Sequence, residues 1–116
     1  MSRDLSFWKT KNDTKVDNSE IYLALTNKQH LDYIDEIPSS RVLEDLVDEF
    51  KDWTLRSNLY FEKGEEAFQL MITSQFVRAD CYGMTGSNMN RIIDILHNFD
   101  CPLYDSAIDV RFDQNV

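Results

Sequence analysis

The chain has 116 residues, 42% hydrophobic and 28% charged, the size and composition of one globular domain spanning residues 1–116. This excludes a disordered tail, two independent cores and a disulfide-stapled mini-protein. Twenty-one acidic against twelve basic side chains give a net charge of −9, which repels nucleic-acid phosphates and anionic lipid head groups and argues against both as partners.

Leu5 to Trp8 is a short apolar stretch that reads as a first strand, followed by a polar loop over about residues 9–14. Asp17 stands three residues before Glu20 in a capping-box-like start, and Ile21, Tyr22, Ala24 and Leu25 succeed it on helical spacing, so a helix is predicted over about 18–27. Pro38 closes the next loop, and Ser39 or Ser40 can cap a second helix. Val42, Leu43, Leu46, Val47, Phe50 and Trp53 then make one apolar stripe on a helix of about 13 residues, opposite Glu44, Asp45, Asp48, Glu49 and Asp52.

From Leu59 the period changes to two. Leu59 to Glu62, Ala67 to Thr73 and Phe76 to Tyr82 predict an antiparallel meander, with Phe68, Leu70 and Ile72 on one face of the middle strand. Gly83-Met84-Thr85-Gly86 breaks the third strand, and Ser87 offers an N-cap to a helix carrying Met89, Ile92, Ile93, Leu96 and Phe99. Cys101-Pro102 stops it, and Leu103-Tyr104 and Val110 to Phe112 supply one or two short strands. The expected architecture is an α+β two-layer sandwich, an antiparallel sheet with helices on one face. Its order is β-α-α-β-β-β-α-β, similar in wiring to ferredoxin-like folds with an extra helix and strand.

The candidate chemistry is sparse. Asp94 and His97 share a helix face, with Cys101 four residues beyond the histidine, but Cys101 falls past the helix end. His30, Cys81, His97 and Cys101 have no paired ligand spacing, and the acidic segment lacks an EF-hand pattern, so no metal is expected. Gly83 to Ser87 is neither a P-loop nor a dinucleotide fingerprint; it reads as a tight turn, and no cofactor is expected. Cys81 and Cys101 read as reduced thiols of a cytoplasmic protein, in a chain with no signal-peptide-like or bilayer-spanning apolar run. Trp8, Trp53, Tyr60, Tyr82 and Tyr104 read mainly as core.

The charge is the main clue to function. Residues 1–30 carry +1, residues 31–66 carry −7 and residues 67–116 carry −3. Asp45, Asp48, Glu49 and Asp52 on the second helix are the predicted partner-binding residues, flanked in sequence by Asp32, Asp35, Glu36, Glu62, Glu65 and Glu66. An acidic patch of this kind suits a basic partner, steering its approach and pairing its charges.

Ser6 to Lys9, Phe76 to Met84, Met89 to Asp94 and Cys101 to Asp105 resemble segments of a group of small uncharacterised bacterial proteins, a likeness that covers residues 1–9 and 60–112 and brings no residue roles with it. In size, acidity and α+β build the chain also resembles immunity proteins of bacterial toxin systems, including contact-dependent inhibition. That second resemblance implies a non-enzymatic cytoplasmic inhibitor of a basic toxin domain such as a nuclease. The alternative is a small regulatory or housekeeping domain, as a homodimer joined through sheet edges or an apolar helix face.

Overall fold

The period-two segments become strands of a single sheet in the computed structural model, which describes residues 2–11 and 15–112; residues 12–14 of the expected polar loop lie outside them. In chain order the elements are β1 (Ser2–Phe7), α1 (Asn18–Thr26), α2 (Ser39–Glu49), β2 (Thr54–Arg56), β3 (Tyr60–Lys63), β4 (Glu66–Ile72), β5 (Val77–Tyr82), α3 (Gly86–His97), β6 (Leu103–Asp105) and β7 (Val110–Phe112). The strands lie in the order β2-β3-β4-β5-β1-β6-β7, and every neighbouring pair is antiparallel. The central run β4-β5-β1-β6, with helices inserted after β1 and after β5, is the ferredoxin-like arrangement expected from the sequence. β2 and β3 extend one edge and β7 the other.

β2 is absent from the sequence-based order. Its three residues are all exposed, so no buried face marks Thr54, Leu55 and Arg56 in the sequence, and only their pairing with Glu62, Phe61 and Tyr60 of β3 makes them a strand.

The register decides which residues share a face. Leu5 is opposite Ala79, which is opposite Leu70, and Phe7 lies in the row of Val77 and Ile72. These side chains join Val42, Leu46 and Phe50 from the α2 segment and Ile92, Ile95 and Leu96 from α3 in the larger core. An aromatic group ties α2 down: Phe61 stacks on Phe68 at 4.6 Å and 6°, Phe50 meets Phe68 edge-on at 4.8 Å, and Trp53 meets Phe50 edge-on at 5.1 Å.

The placement of all helices on one face holds for α2 and α3 and is corrected for α1. Trp8, Phe76 and Tyr104, with Met71 packed against them, form a second core on the opposite face, and Ile21 and Leu25 of α1 cover it. That face of the sheet has an apolar end, and a buried aromatic group there requires cover. Farther along the same face Asp4 accepts hydrogen bonds from the hydroxyls of Tyr22 and Ser106, which fixes α1 over β1.

α1 begins after Asp17, whose carbonyl accepts from Ile21 N at 3.1 Å while its side chain makes no cap bond. α3 begins earlier than expected: Thr85, not Ser87, is the N-cap, and its hydroxyl accepts from Asn88 N at 3.2 Å. It ends in a Schellman-type closure, with Asp100 at φ 60°, Asp100 N donating to His97 O and Cys101 N to Leu96 O.

The long segment from α1 to α2 has little regular structure, and one side chain holds it. Gln75 is 2% exposed; its Oε1 accepts from Leu31 N at 3.0 Å, and its Nε2 donates to Leu31 O at 2.7 Å and Ile34 O at 2.8 Å. Nearby, Ile37 N donates to Ser74 O and Ser39 Oγ to Thr73 O, so the β4–β5 turn sets the start of α2.

Replacing Gln75 by Met keeps its volume but leaves Leu31 N and Ile34 O without partners, and should lower stability by about 1–3 kcal/mol in urea unfolding. A second measurement probes Asp4. Burial pushes its carboxyl up, but hydrogen bonds from Ser106 and Tyr22 outweigh that and hold it below the usual carboxylate range. A depressed folded-state pKa contributes stability above the unfolded value, about 3.9, and loses it as pH falls through the folded value. Asp4→Asn should therefore melt below the parent at pH 5–7, with the gap closing below about pH 4.

Candidate docking surface

α2 lies on the outside of the larger core, buried along Val42 and Leu46 and open on the opposite side. The four predicted partner-binding residues are all exposed, but they do not form one uniform group. Asp45 and Asp48 project from α2 and make no ion pair or side-chain hydrogen bond among the described residues, and the same is true of Glu44.

Glu49 has a structural partner. Arg91 of α3 donates through Nε to Glu49 Oε2 at 2.7 Å and through Nη2 to the Glu49 carbonyl at 2.7 Å, while its guanidinium lies 4.3 Å from the Phe50 ring centroid. One arginine thus satisfies a C-terminal carbonyl of α2 and fastens the two helices together. Asp52 lies beyond the helix, which stops at Glu49 and not at Trp53, and it accepts from Lys63 Nζ at 2.6 Å. That ammonium group holds the Asp52 carboxyl below its ordinary range. The free negative charge of this face is therefore carried by Glu44, Asp45 and Asp48, in the middle and last turn of α2.

Beside these carboxylates runs a shallow recess of about 580 Å³ lined by Ser40, Leu43, Glu44, Val47, Asp48 and Lys51. Leu43 and Val47 are half-buried and form its apolar floor. Sequence reasoning placed both in the core stripe; what could have singled them out is the width of that stripe, since they lie on its flank, away from Val42 and Leu46. The arrangement presents an apolar strip flanked by two unpaired carboxylates, suited to a partner side chain that is apolar along its stem and cationic at its tip.

The flanking acids are distributed differently. Glu62 pairs with Arg56, and Asp32 lies 3.6 Å from His30. Glu66 is used inside the fold: it accepts from Thr85 N at 2.8 Å and from Asn88 Nδ2 at 2.9 Å, which closes the start of α3 with the chain's own carboxylate. The Asn88 amide and the Thr85 N–H keep it below its usual range. The preceding glycine is required there, because Gly83 has φ +62° and a Cβ would sit 2.9 Å from Glu65 O.

Asp94, His97 and Cys101 are not joined. No hydrogen bond or ion pair links any two of them among the described residues, His97 Nε2 is buried without a partner, and the Cys101 thiol is directed at Phe99 O at 3.5 Å. Among the described residues no three His, Cys, Asp or Glu side chains gather where a metal ion could be held, and no helix is long and apolar enough to cross a membrane. Trp8, Trp53 and Tyr104 are buried in the cores, Tyr60 is half-buried and Tyr82 is exposed. No family model, curated protein or solved structure matches the chain.

Both cysteines are free and buried. Burial, with Asp80 and Asp4 nearby, pushes the Cys81 thiol up to about 12, and burial pushes Cys101 up to about 11 against the pull of Arg111 and Lys9. At pH 8 the reactive thiolate is then scarce. Titration with a disulfide reagent should show both thiols reacting at least about a hundredfold more slowly in the folded protein than in urea. A native-state reaction as fast as that of a free thiol would contradict this account.

Proposed function

We propose that this protein is a non-enzymatic binding module of the immunity type, acting in the bacterial cytoplasm by occupying a basic toxin domain. The observation that carries the reading is the outer face of α2, where Glu44, Asp45 and Asp48 form no ion pair among the described residues and two of them border, with Lys51, a recess floored by Leu43 and Val47. A carboxylate needed for the fold is normally paired, as Glu49 and Asp52 are. Carboxylates left unpaired around an apolar strip support recognition of a partner with the opposite charge.

A nuclease is the partner class that best fits this surface. Its cleft has to attract phosphate, so it is basic, and an acidic protein can fill that cleft or an adjoining site. Lys or Arg stems of the toxin would lie along Leu43 and Val47, with their cationic ends toward Glu44 and Asp48. The rest of the surplus charge would speed the encounter by long-range attraction, an effect that weakens as salt is added.

The test begins with affinity capture from the source bacterium, using the parent protein and the Glu44→Ala/Asp45→Ala/Asp48→Ala variant. A basic protein retained only by the parent is the expected result. With that partner purified, the triple variant should associate about tenfold more slowly at low ionic strength and lose most of its salt dependence. Asp52→Ala, which removes a carboxylate already paired with Lys63, should change the rate much less. Equal rates for the parent and the triple variant would remove this face from the interface.

A further inference from the structure

The layer under α1 is incompletely satisfied. The Ser6 hydroxyl and the Trp8 indole N–H are buried without a hydrogen-bond partner, on residues that are both 0% exposed. Ser6 lies between Arg78 and Tyr104 in the sheet, on the same face as Asp4 and Trp8. Thr26 Oγ1, at the last position of α1, is buried and unpartnered as well. Polar groups taken out of water without new partners raise the free energy of the closed layer, and they are relieved when it opens.

α1 brings little to offset that cost. Of its nine residues only Ile21 and Leu25 are buried, and Leu23 is 59% exposed. The Tyr22 ring leans on Phe76 and Tyr104, and its hydroxyl bond to Asp4 is the one side-chain hydrogen bond from the helix to the sheet among the described residues. The chain on either side is attached more firmly. Lys11 N donates to Tyr33 O at 3.1 Å, Asp35 N donates to Lys9 O at 2.7 Å, and Thr10 bridges Ile34. Gln75 holds Leu31 and Ile34 from below. α1 thus lies between two stretches that are clamped to each other, and Lys28, at φ 61°, turns the chain from the helix toward that base.

We propose that α1 is a strap that lifts from the sheet as a unit while the clamped base and the rest of the fold stay in place. Opening hydrates Ser6 Oγ and Trp8 Nε1 and breaks the Tyr22–Asp4 bond, and it leaves the larger core under α2 and α3 untouched. It uncovers Trp8, Phe76 and Tyr104, an aromatic surface on the side of the sheet opposite α2. The motion is the same whatever α2 binds.

Native-state hydrogen exchange of the full chain reads the motion amide by amide. Protection of the Tyr22 to Thr26 amides should be at least about tenfold lower than in β1, β4 and β5, and small additions of urea should change it much less. Ser6→Ala removes an unpartnered hydroxyl at nearly constant shape and should slow α1 exchange about fivefold, whereas Tyr22→Phe should speed it about tenfold. Val42→Ala, in the larger core, should speed exchange in the strands and leave α1 unaffected. Should that variant not fold, the urea response of the parent decides alone. Protection and urea response in α1 equal to those of the strands, an α1 rate that follows Val42→Ala, or faster α1 exchange in Ser6→Ala would each overturn the proposal.

Discussion

The position of the acidic helix depends on a buried carboxamide. Gln75 sits in the β4–β5 turn and bonds three backbone groups of the segment before α2, two of them on Leu31 and one on Ile34. The segment is also tied by the bridge Thr10–Ile34 and by the bond from Ile37 N to Ser74 O, but without Gln75 the Leu31 N–H and the Ile34 carbonyl would be left unsatisfied. Because the amide has both donor and acceptor capacity, one residue satisfies them all, and this hydrogen bonding sets where Pro38 turns the chain into α2.

From that start, the aromatic group of Phe50, Trp53, Phe61 and Phe68 fixes the roll of the helix, and Arg91 fixes its far end. Acting together, these contacts determine which side of α2 faces outward. Leu43 and Val47 are turned halfway out, while Glu44, Asp45 and Asp48 are exposed. The surface chemistry at this site is set by the packing beneath it: a different roll of the helix would bury a carboxylate at the cost of its hydration.

Much of the fold was legible because its signals are local. Alternation in 67–82 is a property of neighbouring residues, and so is the stripe of α2. The side of the sheet that α1 covers was not, since this depends on Trp8, Phe76 and Tyr104 meeting from three distant parts of the chain. The same divide runs through the site. The exposure of Asp45 and Asp48 comes from helical phase, but the neutralisation of Glu49 by an arginine 42 residues later arises only in the folded chain. Asp52 reads as one more residue of the helical face because nothing before Trp53 forbids another turn; in the fold the helix is capped at Phe50, and Trp53 N bonds back to the Phe50 carbonyl while the two rings meet edge-on.

The place of β1 in the middle of the sheet also has a consequence for biosynthesis. β1 leaves the ribosome well before the strands it pairs with, Val77–Tyr82 and Leu103–Asp105. At roughly 5–20 residues per second, Leu5, Phe7 and Trp8 wait several seconds for the first of these strands. During that interval β3 and β4 can pair locally, whereas β1 stays without its sheet neighbours until β5 has been made and gains the second only when β6 follows.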